Sequence, residues 1–276
     1  MRMTYLFFCN LLLGFIVQGQ EQPELFEPGL VTKGGVFGLT ISPDSKIALW
    51  VNSGGKRDTL KIMESVKRNG RWSTPRVASF STSNGGWKDI DPMFTPDGNM
   101  VLFQSDRKVP SAPGREGFDI WAVKRTKNGW TEPFHLGNVI NTDESESFAS
   151  MSENGNIYFM KDNENEPGNS DIYMSAFVNG EYTTPVNLST PVNTKHRESN
   201  PYISPAEDYL IYFSSDPAGF GQVDLYISFR KNNTWTQPKN LGPPVNTEIG
   251  EFCPFVHQKE KRLYFSRNRK VEGGVV

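Results

Sequence analysis

Cysteine is almost absent from this chain of 276 residues: there are two, and the first, Cys9, lies in an apolar leader. Cys253 would then be the only thiol of the mature chain, which excludes an internal disulfide even in an oxidising compartment, so stability must come from packing. Cys253 falls on a predicted inner strand where a small hydrophobe is wanted, and it reads as a buried inert residue rather than a nucleophile. Runs of lysine or arginine are also lacking, and the formal charge is −2, which excludes the clustered basic face of a nucleic-acid groove. Familiar catalytic signatures are missing as well. There is no Gly-x-Ser-x-Gly elbow, no His-Glu-x-x-His and no Gly-x-x-x-x-Gly-Lys. The three histidines, His135, His196 and His257, fall at unrelated places and do not read as a metal triad.

The one sustained apolar run is Tyr5 to Val17, after Arg2 and interrupted by Asn10 and Gly14. It is short for a membrane span and is followed at once by Gln and Glu residues. Small residues at Val17 and Gly19 suit a cleavage site, so residues 1–19 read as a signal peptide and the mature chain begins near Gln20. The remainder, 20–276, reads as one exported domain, periplasmic or secreted, that spans no membrane after cleavage.

What the chain has in quantity is turn formers and aromatics: 25 Gly, 19 Pro and 12% Phe, Trp and Tyr, the composition of many short strands joined by tight turns. Four copies of one phrase recur: Asn69-Gly-Arg-Trp-Ser-Thr-Pro75, Asn128-Gly-Trp-Thr-Glu-Pro133, Asn179-Gly-Glu-Tyr-Thr-Thr-Pro185 and Asn232-Asn-Thr-Trp-Thr-Gln-Pro238. Their anchors Trp72, Trp130, Tyr182 and Trp235 stand 58, 52 and 53 residues apart. A period near 50 residues marks a radial repeat, because one small sheet cannot bury both of its faces alone.

Each repeat carries four strand signals. In the second, Asp89 to Thr95 is followed by the turn Pro96-Asp97-Gly98, then Met100 to Ser105, Phe118 to Val123, and a strand around Trp130. Proline presets φ in such turns, and Asn and Gly tolerate the positive φ of a tight hairpin. First strands recur five times, the last before Val256-His-Gln-Lys259, so the expected fold is an all-β, five-bladed β-propeller with four-stranded blades. The segment Leu25-Phe-Glu-Pro28 is like Trp130-Thr-Glu-Pro133 and is expected to supply the outer strand of the last blade. The chain stops about two residues into its fifth third-strand, so that blade is expected to be incomplete.

The Ser-Pro-Asp turn at Ser42, the strands ending in Ser105-Asp106 and Ser215-Asp216, and the Asp-Ile-Trp and Asp-Leu-Tyr strands resemble the WD-like β-propeller repeats of the TolB type. The likeness runs from about Phe37 to the C-terminus. It implies the propeller fold, and it implies a place among exported bacterial binding proteins, envelope proteins or non-catalytic parts of peptidases. The first repeat departs from it with Lys61 in place of Asp, and the third with Met160-Lys161-Asp162 in place of Ser-Ser-Asp.

Acidic residues recur three positions before an inner-strand Pro or Ala: Asp89, Glu146, Glu198 and Glu251, with Gly35 at the equivalent place in the first repeat. Near one channel mouth they would form a partial ring of carboxylates, the chosen binding site, able to take a basic or hydroxylated ligand or a divalent cation through oxygen ligands. The competing reading pairs each with a basic residue or a turn. Asp119, Asp171 and Asp224 at the third strands read as acceptors for backbone of the adjoining loop. The acidic loop from Lys161 to Gly168 lacks calcium-loop spacing and reads as a solvated connection. No cofactor is expected. The function expected is a non-catalytic, monomeric binding module of the cell envelope, whose partner is an envelope protein, a peptide or a glycan. The alternative is a carbohydrate-active hydrolase, glycosidase or sialidase-like, using paired channel-mouth carboxylates. A third is a scaffold with an exposed apolar face.

Overall fold

The structure is a computed structural model that describes residues 22–276 except 33, 55–59, 82–85, 110–111, 269, 272–273 and 276. The expected leader 1–19, with Cys9, lies outside the described residues.

Four sheets of the expected kind form. The first holds β1 (Val36–Ile41), β2 (Ile47–Asn52), β3 (Lys61–Arg68), β4 (Arg71–Trp72) and β5 (Arg76–Val77). The second holds β6 (Asp89–Phe94), β7 (Met100–Ser105), β8 (Asp119–Thr126), β9 (Gly129–Trp130) and β10 (Phe134–His135). The third holds β11 (Glu146–Met151), β12 (Ile157–Asp162), β13 (Ser170–Ser175) and β16 (Val186–Asn187), with the hairpin β14 (Phe177–Val178) and β15 (Glu181–Tyr182) beside it. The fourth holds β17 (Glu198–Ile203), β18 (Tyr209–Ser214), β19 (Asp224–Lys231), β20 (Thr234–Trp235) and β21 (Lys239–Asn240). The outer edge is broken into two short pieces wherever the Trp phrase ends in proline, because Pro75, Pro133 and Pro238 cannot donate to a ladder.

The fifth unit differs from expectation. It is a two-stranded sheet, β22 (Glu251–His257) with β23 (Arg262–Arg267), while β24 (Lys270–Val271) and β25 (Gly274–Val275) pair with each other. No N-terminal strand extends it among the described residues. Pro23 and Pro28 lack N–H donors, and the chain turns instead, with Glu27 at φ 42° accepting the N–H groups of Leu30 and Val31 at 3.1 and 3.0 Å. Phe26 from this turn nevertheless fills the seam, edge-on to Trp72 at 6.0 Å and to Tyr264 at 5.5 Å.

The inner strands β1, β6, β11, β17 and β22 stand in that order around one axis, and β22 and β23 return to β1. The closing contacts are apolar, with Phe37 against Phe252 at 6.1 Å, and polar, with Gly38 N–H donating to Ser266 Oγ at 3.1 Å and Ser45 Oγ to Glu260 at 2.8 Å. Apolar clusters fill the wedges between successive sheets, for example Leu49, Ile62, Phe94, Val101 and Phe103 between the first two. The Trp anchors serve that packing, as the repeat suggests: Trp130 meets Phe80 at 5.5 Å and Phe94 at 6.0 Å, and its indole donates to Glu64 of the first sheet at 2.9 Å.

Every inner strand slips register at its third residue. Gly38, Asp91, Phe148, Asn200 and Cys253 all hold positive φ there, between 47° and 64°. An extra left-handed residue bends the strand and takes its side chain out of the alternation. For a side chain as bulky as Phe148 this conformation costs about 1–3 kcal/mol, borne by the surrounding packing.

Candidate functional site

The four acids of the expected ring stand at the first residues of β6, β11, β17 and β22, with Val36 rather than Gly35 at the equivalent place in β1. All four are buried. Glu146, Glu198 and Glu251 each clamp the threonine four residues earlier, which donates both its N–H and its hydroxyl: Thr142 at 2.9 and 2.5 Å, Thr194 at 2.9 and 2.9 Å, Thr247 at 3.0 and 2.6 Å. Each also has a partner on the second strand or beside it. Lys161 lies 3.9 Å from Glu146, Ser214 donates to Glu198 at 2.8 Å, and Arg267 Nε donates to Glu251 at 2.7 Å. Asp89 accepts from Arg107 Nη2 at 2.9 and 2.8 Å. Burial pushes the Glu146 carboxyl up to about 7, and raises those of Glu198 and Asp89 above the ordinary range. The three glutamates are thus turned toward their own link loops and occupied there, and Asp89 is occupied by Arg107.

The asparagine before each threonine completes the clamp. Asn141, Asn193 and Asn246 accept the N–H of Ile120, Ile172 and Leu225 and donate back to the same residue's carbonyl. This bidentate pairing imitates a strand and holds each link against the third strand. The third-strand acids belong to the same network. Asp171 and Asp224 accept from Asn187 and Asn240 at 2.9 and 2.8 Å, and Asp224 also takes the N–H groups of Phe220 and Gly221. At Asp119 the partners are His135, whose Nδ1 accepts the Gly137 N–H and whose Nε2 lies 3.0 Å from the carboxylate, and Arg115 at 3.5 Å. The loop after Lys161 staples itself, Asn165 N–H to Asn163 at 3.0 Å and Asn169 to Glu166 at 2.8 Å. Among the described residues no group of three or more His, Cys, Asp or Glu is placed to hold a metal ion.

Midway along the inner strands the bulge residues meet across the axis. Cys253 donates its N–H to Asn200 Oδ1 at 3.0 Å, and its thiol lies 3.5 Å from Asp91 Oδ1. Asp91 belongs to the second unit and Cys253 to the fifth, which are not neighbours in the ring, so side chains fill the channel at this level. Gln104 donates to the other oxygen of Asp91. Gly38 completes the layer, where a Cβ would stand 3.0 Å from Asp91 Oδ1.

The opposite ends of the inner strands, away from the four acids, open into a cavity of about 410 Å³. Every unit lines it: Ile41 and Pro43 from the first, Phe94 and Pro96 from the second, Ser150, Met151 and Glu153 from the third, Tyr202 to Ala206 with Asp208 and Tyr209 from the fourth, and Phe255 to Lys259 from the fifth. Its polar groups are already arranged. The Gln258 amide donates to Tyr202 Oη at 2.9 Å and to Tyr209 Oη at 2.8 Å, while Tyr202 Oη donates to Val256 O at 2.9 Å. Burial raises both phenols above their ordinary range, so they stay neutral hydroxyls. His257 accepts the Glu260 N–H at Nδ1 and reaches Ser42 O from Nε2 at 3.2 Å, tying the fifth unit to the first. None of Asp89, Glu146, Glu198 and Glu251 lines this cavity.

Sequence reasoning passed over the cavity because the residues that supply its polar groups, Tyr202, Tyr209 and Gln258, do not repeat. At the fifth position of the inner strands stand Thr40, Met93, Ser150, Tyr202 and Phe255, of which the last three line the cavity. That variety at one register was the available signal.

No family model matches the chain, and no curated protein sequence matches it. Solved structures do. An α-L-arabinofuranosidase from Lactobacillus brevis is similar with a TM-score of 0.55 and 16% identity, covering 90% of this chain and 88% of that one. A gluconolactonase from Xanthomonas campestris is similar with a TM-score of 0.51 and 13% identity, covering 83% and 67%. At these identities the likeness concerns the fold alone: the chain is an all-β protein of β-propeller form.

Proposed function

We propose that this protein is an exported, non-catalytic binding module of the cell envelope whose ligand enters the mouth cavity. The observation that carries the reading is the cavity itself: a largely apolar concavity built by all five units, with a pre-arranged set of hydroxyl and amide groups from Tyr202, Tyr209 and Gln258. Concave apolar sites with a few convergent polar groups are where ligands bind. The leader 1–19, the periplasmic or secreted location, the TolB-type kinship and the count of five blades, with β22 and β23 as the inner part of the fifth, belong to the same proposal. The acidic quartet is assigned to the scaffold instead.

The second reading is a carbohydrate-active hydrolase, which Glu153 and Asp208, the two carboxylates lining the cavity, keep in view. Such an enzyme needs one carboxyl held protonated near neutral pH. The carboxyls raised by burial at Asp89, Glu146 and Glu198 lie at the far ends of the inner strands, which favours binding over hydrolysis.

A thermal-shift screen of the purified protein against peptides, oligosaccharides and divalent cations tests this. A ligand at a hundred times its Kd adds about 2.7 kcal/mol, a rise of roughly 5–10 °C for a domain of this size. At least one class is expected to shift the wild type and not Tyr209→Ala. Turnover of an oligosaccharide would establish the second reading, and no shift from any class would refute both.

A further inference from the structure

The cavity is blind. The lining residues Tyr202 and Phe255 pack in one cluster with Met93, Phe148 and Cys253, and the contact between Cys253 and Asp91 crosses the axis. A chain cannot thread the ring from this mouth, so what enters must be an end or a side group. At about 410 Å³ the space falls near the lower limit of ligand pockets, about 300–1,000 Å³, and suits a residue or two.

The floor and rim differ in character. Ile41, Phe94, Ile203 and Phe255 are apolar and buried or nearly so. At the rim stand two exposed carboxylates, Glu153 on the turn after β11 and Asp208 on the turn after β17, against one cation, Lys259. Asp208 is held in place, since its Oδ1 accepts the Ser204 hydroxyl at 2.6 Å. An apolar floor wants an apolar side chain, and an acidic rim wants a cation within reach of it. A free peptide N-terminus with a large apolar first residue offers both groups on one Cα. The rim charge is of the wrong sign for a C-terminal carboxylate.

Resting on the reading of the cavity as the binding site, the geometry points to recognition of a free peptide N-terminus, with the apolar first side chain on the floor. The α-ammonium then lies between Glu153 and Asp208, and Gln258 and the two tyrosine hydroxyls face the first peptide groups.

The test is titration of the whole protein with a C-terminally labelled, amidated peptide Phe-Gly-Ser-Gly-Ser, its N-acetyl form, and the same peptide beginning with Gly. Acetylation should weaken binding about tenfold at low salt, the worth of two partly exposed ion pairs, and the gap should narrow as salt is raised. The Gly peptide should bind at least about tenfold more weakly, since it leaves the floor empty. In the double variant Glu153→Gln, Asp208→Asn, whose exposed sites leave folding intact by its unchanged melting temperature, the gap between free and acetylated forms should close. Equal affinity of the free and acetylated peptides, or of the Phe and Gly peptides, overturns the inference. If an oligosaccharide or an acetylated peptide binds the wild type and not Tyr209→Ala, the cavity stands as a binding site while the N-terminal preference falls. No binding by any probe refutes both.

Discussion

Replacing Asn193 with Ala should destabilise the protein by about 3 kcal/mol, and the figure can be built from the structure. Asn193 is 5% exposed and makes three hydrogen bonds: it accepts from Ile172 N–H at 2.9 Å, donates to Ile172 O at 2.8 Å, and donates to Asn187 Oδ1 at 2.8 Å. In the variant the carbonyl of Ile172 keeps the Leu188 N–H at 3.0 Å, and Asn187 keeps the Ser189 N–H at 2.7 Å. The Ile172 N–H loses its acceptor in a fully buried place. One orphaned buried amide costs about 1–3 kcal/mol, and two further bonds lost from groups that keep another partner add about 0.5–1 kcal/mol each. Urea denaturation followed by tryptophan fluorescence measures the sum, with an unchanged m-value showing that the unfolded state is the same. At about 2–4 °C per kcal/mol, the melting temperature should fall by roughly 6–12 °C. Because Asn141 and Asn246 have the same bidentate geometry to Ile120 and Leu225, their alanine variants should lose a similar amount. A loss below about 1 kcal/mol at all three sites would refute the argument, since it would fall under the lower limit for one unsatisfied buried amide.

Two further outcomes follow from the same geometry. The Glu146 carboxyl, raised by burial from 4.5 to about 7, favours the folded state fully below its unfolded value, and that contribution is lost as pH rises through about 7. The stability of wild type relative to Glu146→Gln should therefore fall by up to about 3 kcal/mol between pH 4.5 and 7, read as the difference between two urea midpoints, and parallel curves would sink the assignment. Gly38→Ala should cost more than Gly70→Ala, because both positions have positive φ, at 64° and 78°, yet only at Gly38 does a Cβ meet a neighbour, Asp91 Oδ1 at 3.0 Å. The shared strain is worth about 1–2 kcal/mol, and equal losses would show that the axial layer yields freely.

The fold was legible because each local signal has a local cause. Asn69-Gly70, Asn128-Gly129 and Asn179-Gly180 give tight hairpins, and the residues after them carry a half-buried aromatic anchor. Strand ranges such as Met100 to Ser105 agree residue for residue. The bulges were not legible, since Phe148 and Cys253 carry no preference for positive φ, and only closure of the inner strands around an axis imposes it. The N-terminal segment misled for a related reason. Leu25 to Pro28 has the composition of an outer strand, but Pro23 and Pro28 leave too few donors for a ladder.

The candidate site shows a more general physical division. Each blade must solve the same problem, which is to hold a link loop against a third strand without leaving buried N–H and C=O groups unpaired. A residue repeated in register is therefore selected first by that problem, and Asn193, Thr194 and Glu198 answer it as a unit, as do Asn246, Thr247 and Glu251. A repeated acid in a propeller thus points to scaffold before it points to ligand. At the cavity the reverse holds. Whereas Asp208 accepts the hydroxyl that opens its turn, as Asp44 and Asp97 do in theirs, Tyr202, Gln258 and Glu153 have no counterparts in the other units, and the ladder does not require them. Freed from that duty, these residues can be shaped by what the mouth of the ring must hold.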